Sequence, residues 1–519
     1  MLFNSYAFMF AFLPATLAVY YALGRRSGGA AMAFLAAASL FFYGWWNPAY
    51  LGLLGGSIAF NFVIGRTILA HTLGDPARRR LLVIGVAGDL ALLAWFKYAD
   101  FALATLSAVT GREMPHLGIV LPIGISFFTF TQIAFLVDTA REARAPYDAA
   151  RYTLFVTFFP HLLAGPLFHH KEMMPQFAAP ETVRPKAESF SVGLTIFIIG
   201  LFKKAVVADG MAGFASPLFD AAAAGTAPGL VAAWGGALAY TFQLYYDFSG
   251  YSDMAIGAAR CFGIRLPLNF HSPYKATNII EFWRRWHMTL SRFLRDYLYI
   301  PLGGNRHGRL ARYRNLFLTM LLGGLWHGAA WTFVAWGALH GLYLAANHAW
   351  HALRVRFGFA RKLGLAGKLA GGTVTFLAVV VGWVLFRATS FPAAARILAG
   401  MAGMNGAGEP DALFGIAYGA ALYGGIDETV ALAALALATF ALPNTQELMA
   451  GFAPALPHKL LRPAASAAHL LPRRLAWRAL AWRALAWRPG AGWAFVMMAA
   501  LLVALSRMSG VSPFLYYQF

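Results

Sequence analysis

Apolar runs long enough to enter a bilayer recur along almost the whole chain. They lie near residues 3–23, 30–46, 49–70, 81–107, 119–137, 152–168, 189–208, 230–259, 315–347, 370–387, 428–442 and 492–506. No other feature constrains the fold as much. Hydrocarbon offers no partner to a backbone N–H or C=O, so a spanning segment must be a helix or part of a closed barrel. These runs are continuous and do not alternate with period two, which argues against a barrel. Charged residues make up only 12% of 519, against roughly 25% in soluble domains, so a soluble domain with one anchor is also excluded. The expectation is an all-α polytopic membrane protein, a single domain over 1–519, with about eleven transmembrane helices.

Some runs are too broken to be simple spans. Leu121-Pro-Ile-Gly-Ile125 and Phe158-Phe-Pro-His-Leu-Leu-Ala-Gly-Pro166 resemble re-entrant or interrupted helices. Irregular backbone survives at membrane depth only where protein or a water-filled cavity covers it, so a central cavity is expected. Met1 to Leu23 lacks a basic leader, and Arg25 and Arg26 follow the apolar stretch, which makes it a retained first helix and not a cleaved signal. A single cysteine, Cys261, permits no intrachain disulfide.

The formal charge is +21, but it is distributed as the positive-inside rule distributes charge and not as a nucleic-acid surface. Arg260 to Arg314 holds eleven Lys/Arg against Glu281 and Asp296, a net +9 that marks a cytoplasmic face. Arg25/Arg26 and Arg78–Arg80 mark others, which places the N-terminus outside a bacterial inner (cytoplasmic) membrane. Most of this charge is accounted for by membrane lipids, and the remainder is available to an anionic donor. Residues 443–491 form a basic extramembrane or interfacial segment with a five-residue Leu-Ala-Trp-Arg-Ala repeat. That period spreads Trp477, Trp482 and Trp487 around a helix, and a headgroup-binding role is expected.

Two histidines stand out. His327 lies inside the apolar run Leu325-Trp-His-Gly-Ala-Ala-Trp331, where a polar group must be paired, hydrated or functional. His287 lies in residues 278–300, which read as an amphipathic interfacial helix opened by a capping box of Asn278 and Glu281. Its apolar stripe includes Phe282, Trp286, Leu290 and Leu294, with Arg284, Arg285, Arg292 and Arg295 largely opposite. For His327 the alternative is a histidine packed in a helix bundle. Asp247 and Asp253 fall on different faces of an apolar span and are candidates for either function or structural bonding. His161 is placed to line the cavity or to pack in a loop, and Gly303-Gly-Asn-Arg306 reads as a turn. His169 and His170 lack ligands at metal spacing, so no metal site is expected.

Tyr246-Asp-Phe-Ser-Gly-Tyr-Ser-Asp253, Leu266-Pro-Leu-Asn-Phe270, Phe282-Trp-Arg-Arg-Trp-His-Met-Thr-Leu-Ser291, Arg295-Asp-Tyr-Leu-Tyr-Ile-Pro-Leu-Gly-Gly-Asn-Arg306 and Leu325-Trp-His-Gly-Ala-Ala-Trp331 follow one another in order. Together they closely resemble the membrane-bound O-acyltransferase (MBOAT) superfamily, and most of all its alginate O-acetyltransferase branch. The likeness is most specific over 240–340, the expected catalytic core region of the MBOAT fold. It also takes in Leu121–Phe127, Gly382–Arg387 and Ser512–Phe519.

The resemblance implies that His327 and His287 are the catalytic pair. It also implies an acyl thioester donor such as acetyl-CoA, no permanently bound cofactor, and periplasmic acetyltransferase partner proteins. A histidine has the reference pKa, about 6.5, that suits a base for a sugar hydroxyl. Trp326, Arg284, Arg285, Arg292, Arg295 and Asp253 are candidate donor- or substrate-binding residues. The expected function is transfer of an acetyl group from a cytoplasmic thioester toward periplasmic O-acetylation of an exported, alginate-like polysaccharide. The alternatives are a polysaccharide or solute transporter, which leaves the Trp-His pair without a purpose, and a lipid or protein O-acyltransferase of the same superfamily.

Overall fold

The computed structural model describes residues 1–142, 148–358, 364–407, 428–458, 485–508 and 514–515. Among them every regular element is helical. The first is α1 (Leu13–Gly24), entered through a π-helical turn at Ala7–Phe12; α2 (Gly28–Gly44), α3 (Tyr50–Ala70) and α4 (Pro76–Thr110) follow. Asp75 starts α4 by accepting the Ala77 N–H at 2.8 Å, and that bond holds its carboxyl below the ordinary value. Next come α5 (Ile125–Arg141), α6 (Ala149–Thr157), α7 (Phe159–Leu162), α8 (His170–Ala178), α9 (Ala187–Phe202), α10 (Asp209–Ala223) and α11 (Leu230–Cys261). Two short helices, α12 (Ile279–Trp283) and α13 (Met288–Leu294), precede the long pair α14 (Gly308–His327) and α15 (Trp331–Arg356). The described part closes with α16 (Leu365–Arg387), α17 (Phe391–Met401), α18 (Glu428–Ala441), α19 (Thr445–Leu448) and α20 (Ala491–Arg507).

Among the described residues five segments are long and apolar enough to cross a membrane: Ala7–Gly24, Tyr50–Ala70, Pro76–Thr110, Ala187–Ala223 and Leu365–Arg387. Four more apolar helices are shorter, among them Gly28–Gly44 and Ala491–Arg507. The chain is thus a multi-pass membrane protein, with five clear spans among the described residues where about eleven were expected. The run at 315–347 is two antiparallel helices, α14 and α15, turning through an extended Gly328.

Glycines let these helices approach closely. A Cβ on Gly193 or Gly200 of α9 would sit 2.7 or 2.6 Å from the carbonyl oxygens of Gly257 and Gly250 on α11. Between α14 and α15, a Cβ on Gly337 would lie 2.4 Å from the Met320 oxygen. Lipid tails are as apolar as side chains, so such close packing is what drives helix association in a membrane.

Four charged residues near one another at this depth form ion pairs. Lys203 and Lys204 lie on the π-helical turn Lys203–Ala208 between α9 and α10 and meet the two acids of α11. Lys204 Nζ is 2.8 Å from Asp247 and 2.7 Å from Asp209, and Lys203 Nζ is 2.6 Å from Asp253. Arg260 meets Glu188 at 3.3 Å, and Arg78 donates to the Thr139 carbonyl at 2.7 Å.

Of the basic segment 443–491, residues 459–484 lie outside the described residues, including Trp477, Trp482 and nearly all of the repeat. The described flanks pack on the body: Leu456 N–H bonds the Leu266 carbonyl at 2.9 Å, and Trp487 is buried against Phe452.

Candidate active site

The site forms at the seam of two aromatic cores. One, built chiefly from α1 to α9, contributes Trp326, Phe293 and Leu290. The other, from α10 to α17, contributes Phe248, Phe270, Trp286, Trp336 and Phe386. His327 is the last residue of α14 and is buried between them. Trp336 stands edge-on to its ring at 5.2 Å and Phe386 at 5.3 Å. Trp326 beside it stacks on Phe130 at 5.1 Å.

His287 comes from a break. The expected continuous helix over 278–300 is instead α12, a kink, α13 and a π-helical turn at Arg295–Tyr299. The kink centres on His287, whose φ is +41°, a left-handed conformation that costs a non-glycine residue free energy. Tertiary bonds hold it there. The Met288 N–H reaches the Asn269 carbonyl at 2.9 Å, the His271 N–H reaches the Arg285 carbonyl at 3.0 Å, and His287 Nδ1 lies 3.1 Å from Asn269 Oδ1. The kink turns His287 inward, with its ring centroid 6.4 Å from that of His327. Only half of the expected capping box is present. Asn278 caps Glu281 N at 2.9 Å, but the Glu281 carboxylate binds Thr277 and Arg285 instead of the Asn278 N–H.

Two cavities approach this point. The larger, about 820 Å³, is lined by His327, Trp336, Arg284, Arg292, Arg295 and His348 among others. The smaller, about 330 Å³, is lined by Trp326, Lys97, Tyr43, Trp46 and the irregular stretch Leu121–Phe127. The end of α14 therefore forms a partition, with adjacent residues facing different cavities. The interrupted backbone at 121–125 lines a cavity, as its proline and glycine suggested.

The family profile of the membrane-bound O-acyltransferases matches residues 88–378, more than half of the chain, including His287, Trp326 and His327. The chain belongs to the membrane-bound O-acyltransferase family. It is 45% identical to the peptidoglycan O-acetyltransferase of Helicobacter pylori over 435 residues, 78% of this chain and 80% of that one. It is 44% identical to the probable alginate O-acetylase of Pseudomonas aeruginosa over 409 residues, 77% and 75% of the two chains. The teichoic acid D-alanyltransferase of Streptococcus thermophilus is 26% identical over 313 residues, 56% of this chain and 75% of that one.

In this O-acyltransferase the expected site residues separate into groups. His327, His287 and Trp326 come together, and Arg284, Arg292 and Arg295 reach the larger cavity. Arg292 is held there by a two-pronged bond to Glu172, at 2.6 and 2.8 Å, and Arg295 by Asp296. Arg285 is turned to Glu281 and the His271 carbonyl and does not line the cavity. Asp253 is apart from the histidines, tied to Lys203, Thr445 and Gln446 at 2.6, 2.6 and 3.1 Å, because a carboxylate buried at this depth requires a cation. His161 lines neither cavity and packs on Phe168. His169 Nδ1 is 2.7 Å from the Tyr297 hydroxyl.

Sequence reasoning overlooked four contributors. Lys97 of α4 donates to the Trp326 and His327 carbonyls, and Tyr98 to the Leu325 carbonyl at 2.9 Å. A lysine within the apolar run 81–107 was the available signal. Asn269, fully buried, holds His287, while His340 lies fully buried against Trp336, 4.8 Å between ring centroids.

Proposed function

We propose that this O-acyltransferase resides in the bacterial inner membrane and takes an acetyl group from a cytoplasmic thioester such as acetyl-CoA. It then delivers the group toward periplasmic O-acetylation of an exported polysaccharide, working with periplasmic acetyltransferase partners. The observation that carries this reading is the partition: His327 and Trp326, consecutive residues, line cavities on the two sides of one helix end. The larger cavity shares its side with the basic residues, which the positive-inside rule puts in the cytoplasm, and its arginines suit the phosphates of an anionic donor. The names of the relatives supply the acetyl group and the glycan class.

In the proposed step the His327 imidazole accepts the proton of an acceptor hydroxyl as its oxygen attacks the thioester carbonyl carbon. The C–O bond forms, the C–S bond breaks, and the departing thiolate carries away the proton held by the histidine. General-base assistance of this kind contributes about 10²–10⁴ in rate. The test is acetyl transfer by purified, monodisperse protein at saturating acetyl-CoA, beside ester-bound acetate released from the exopolysaccharide of cells with and without the gene. His327→Gln is expected to remain inserted and monodisperse and to lose at least about 10²-fold in turnover. Near-wild-type turnover in that variant would end the base assignment.

A further inference from the structure

Asn269 is used by nothing in the step just described, yet four polar groups converge on its side chain in a fully buried place. Its Oδ1 lies 3.1 Å from His287 Nδ1, 2.9 Å from Thr289 Oγ1 and 3.5 Å from the Thr289 N–H. Its Nδ2 lies 3.0 Å from Ser252 Oγ on α11. The directions of these bonds can be read from chemistry. A backbone N–H only donates, so the amide orientation with its oxygen toward Thr289 is the one that gives that N–H, at 3.5 Å, an acceptor. The Thr289 hydroxyl accepts the Leu167 N–H at 3.1 Å and is therefore free to give its own proton to that same oxygen. An amide oxygen has no proton to offer. His287 Nδ1 must then carry one, and a neutral His287 has its lone pair on Nε2.

We infer that Asn269 is a positioning residue that fixes the tautomer and aim of His287, holding Nδ1–H away and leaving Nε2 as the acceptor atom of the histidine pair. The inference rests on the acyl-transfer reading above. Ser252 and Thr289 set the amide, the amide sets the imidazole, and the main-chain bond from Met288 N–H to the Asn269 carbonyl keeps both in register. Three elements thereby specify one lone pair: α11, the stretch after it, and the start of α13.

The test is a double-mutant cycle on the full-length purified enzyme with acetyl-CoA. Asn269→Leu conserves volume and removes the acceptor. It is expected to lower kcat by about 10-fold or more with the donor KM within about twofold, because geometry and not donor affinity is lost. In a His287→Gln background the same change should cost no more than about twofold, since a residue acting through His287 has nothing left to act on. Asn269→Asp retains an oxygen acceptor and should stay within about threefold of wild type. Thr289→Val, which removes one lock on the amide without touching His287, covers the case in which Asn269→Leu does not fold. It should lower kcat about threefold alone and have no effect in His287→Gln. Equal losses in both backgrounds, or wild-type turnover in Asn269→Leu or Thr289→Val, or an Asp variant as impaired as the Leu variant, would overturn the assignment. A wild-type enzyme without acetyl transfer, or a fully active His327→Gln, would instead overturn the acyl-transfer reading itself.

Discussion

At the scale of single residues, Lys97 is the group that most needs an explanation. An ammonium at membrane depth is costly, and among the described residues Lys97 has no carboxylate partner. Its partners are the carbonyls of Trp326 and His327 at the end of α14, where unsatisfied carbonyls concentrate partial negative charge. Lys97 thus fixes the residue proposed as base through its backbone. Lys97→Met would strand two buried carbonyls. We expect it to lower stability by on the order of 2 kcal/mol, the scale of a lost hydrogen bond to a charged group, and to reduce turnover. Thermal melting in detergent beside kcat checks this, and a Met variant that melts like wild type would contradict it. The lysine was visible in the sequence as an ionisable residue in an apolar run. Its destination, on a helix some 230 residues away, was not.

At the scale of elements, the α14–α15 hairpin carries His327 and Trp336, and its geometry depends on glycine. A Cβ on Gly324 would sit 2.3 Å from the Phe333 oxygen, and one on Gly337 would sit 2.4 Å from the Met320 oxygen. Backbone cannot yield as a side-chain tip can, so the helices must part. Gly337→Val is expected to lower both melting temperature and turnover, by at least about 10-fold in the latter, because a misplacement near 1 Å suffices for a loss of that order. Gly55→Val is the control, since nothing lies within 4 Å of its added Cβ. Wild-type activity in Gly337→Val would mean that the hairpin tolerates separation. The short helices α12 and α13 carry the opposite lesson. Their residues have the periodicity of one amphipathic helix, and what breaks it is a set of bonds from residues 269–271 that local pattern does not contain.

For the whole molecule, the larger cavity ties donor binding to charge. Arg284 is exposed at its wall, whereas Arg292 and Arg295 already hold carboxylates. Arg284→Gln should therefore raise the acetyl-CoA KM and weaken its dependence on salt, because exposed charges are screened within about 8 Å at physiological ionic strength. Measurement of KM from low to high salt decides the matter. An unchanged KM would leave Arg284 a lipid contact. Much of this architecture was legible in the sequence. Long apolar runs leave helices as the only economical way to satisfy backbone groups in hydrocarbon, and broken backbone at 121–125 has to line a cavity. His327 and His287 were legible as residues out of place. What only the tertiary structure decided is who meets whom. It gave Asp253 to Lys203, turned Arg285 away from the cavity, bent the chain at His287 and placed Asn269 behind it. Hydropathy and helical period act over a few turns, whereas these outcomes depend on neighbours tens to hundreds of residues distant, and a buried charge or amide goes wherever a partner is available.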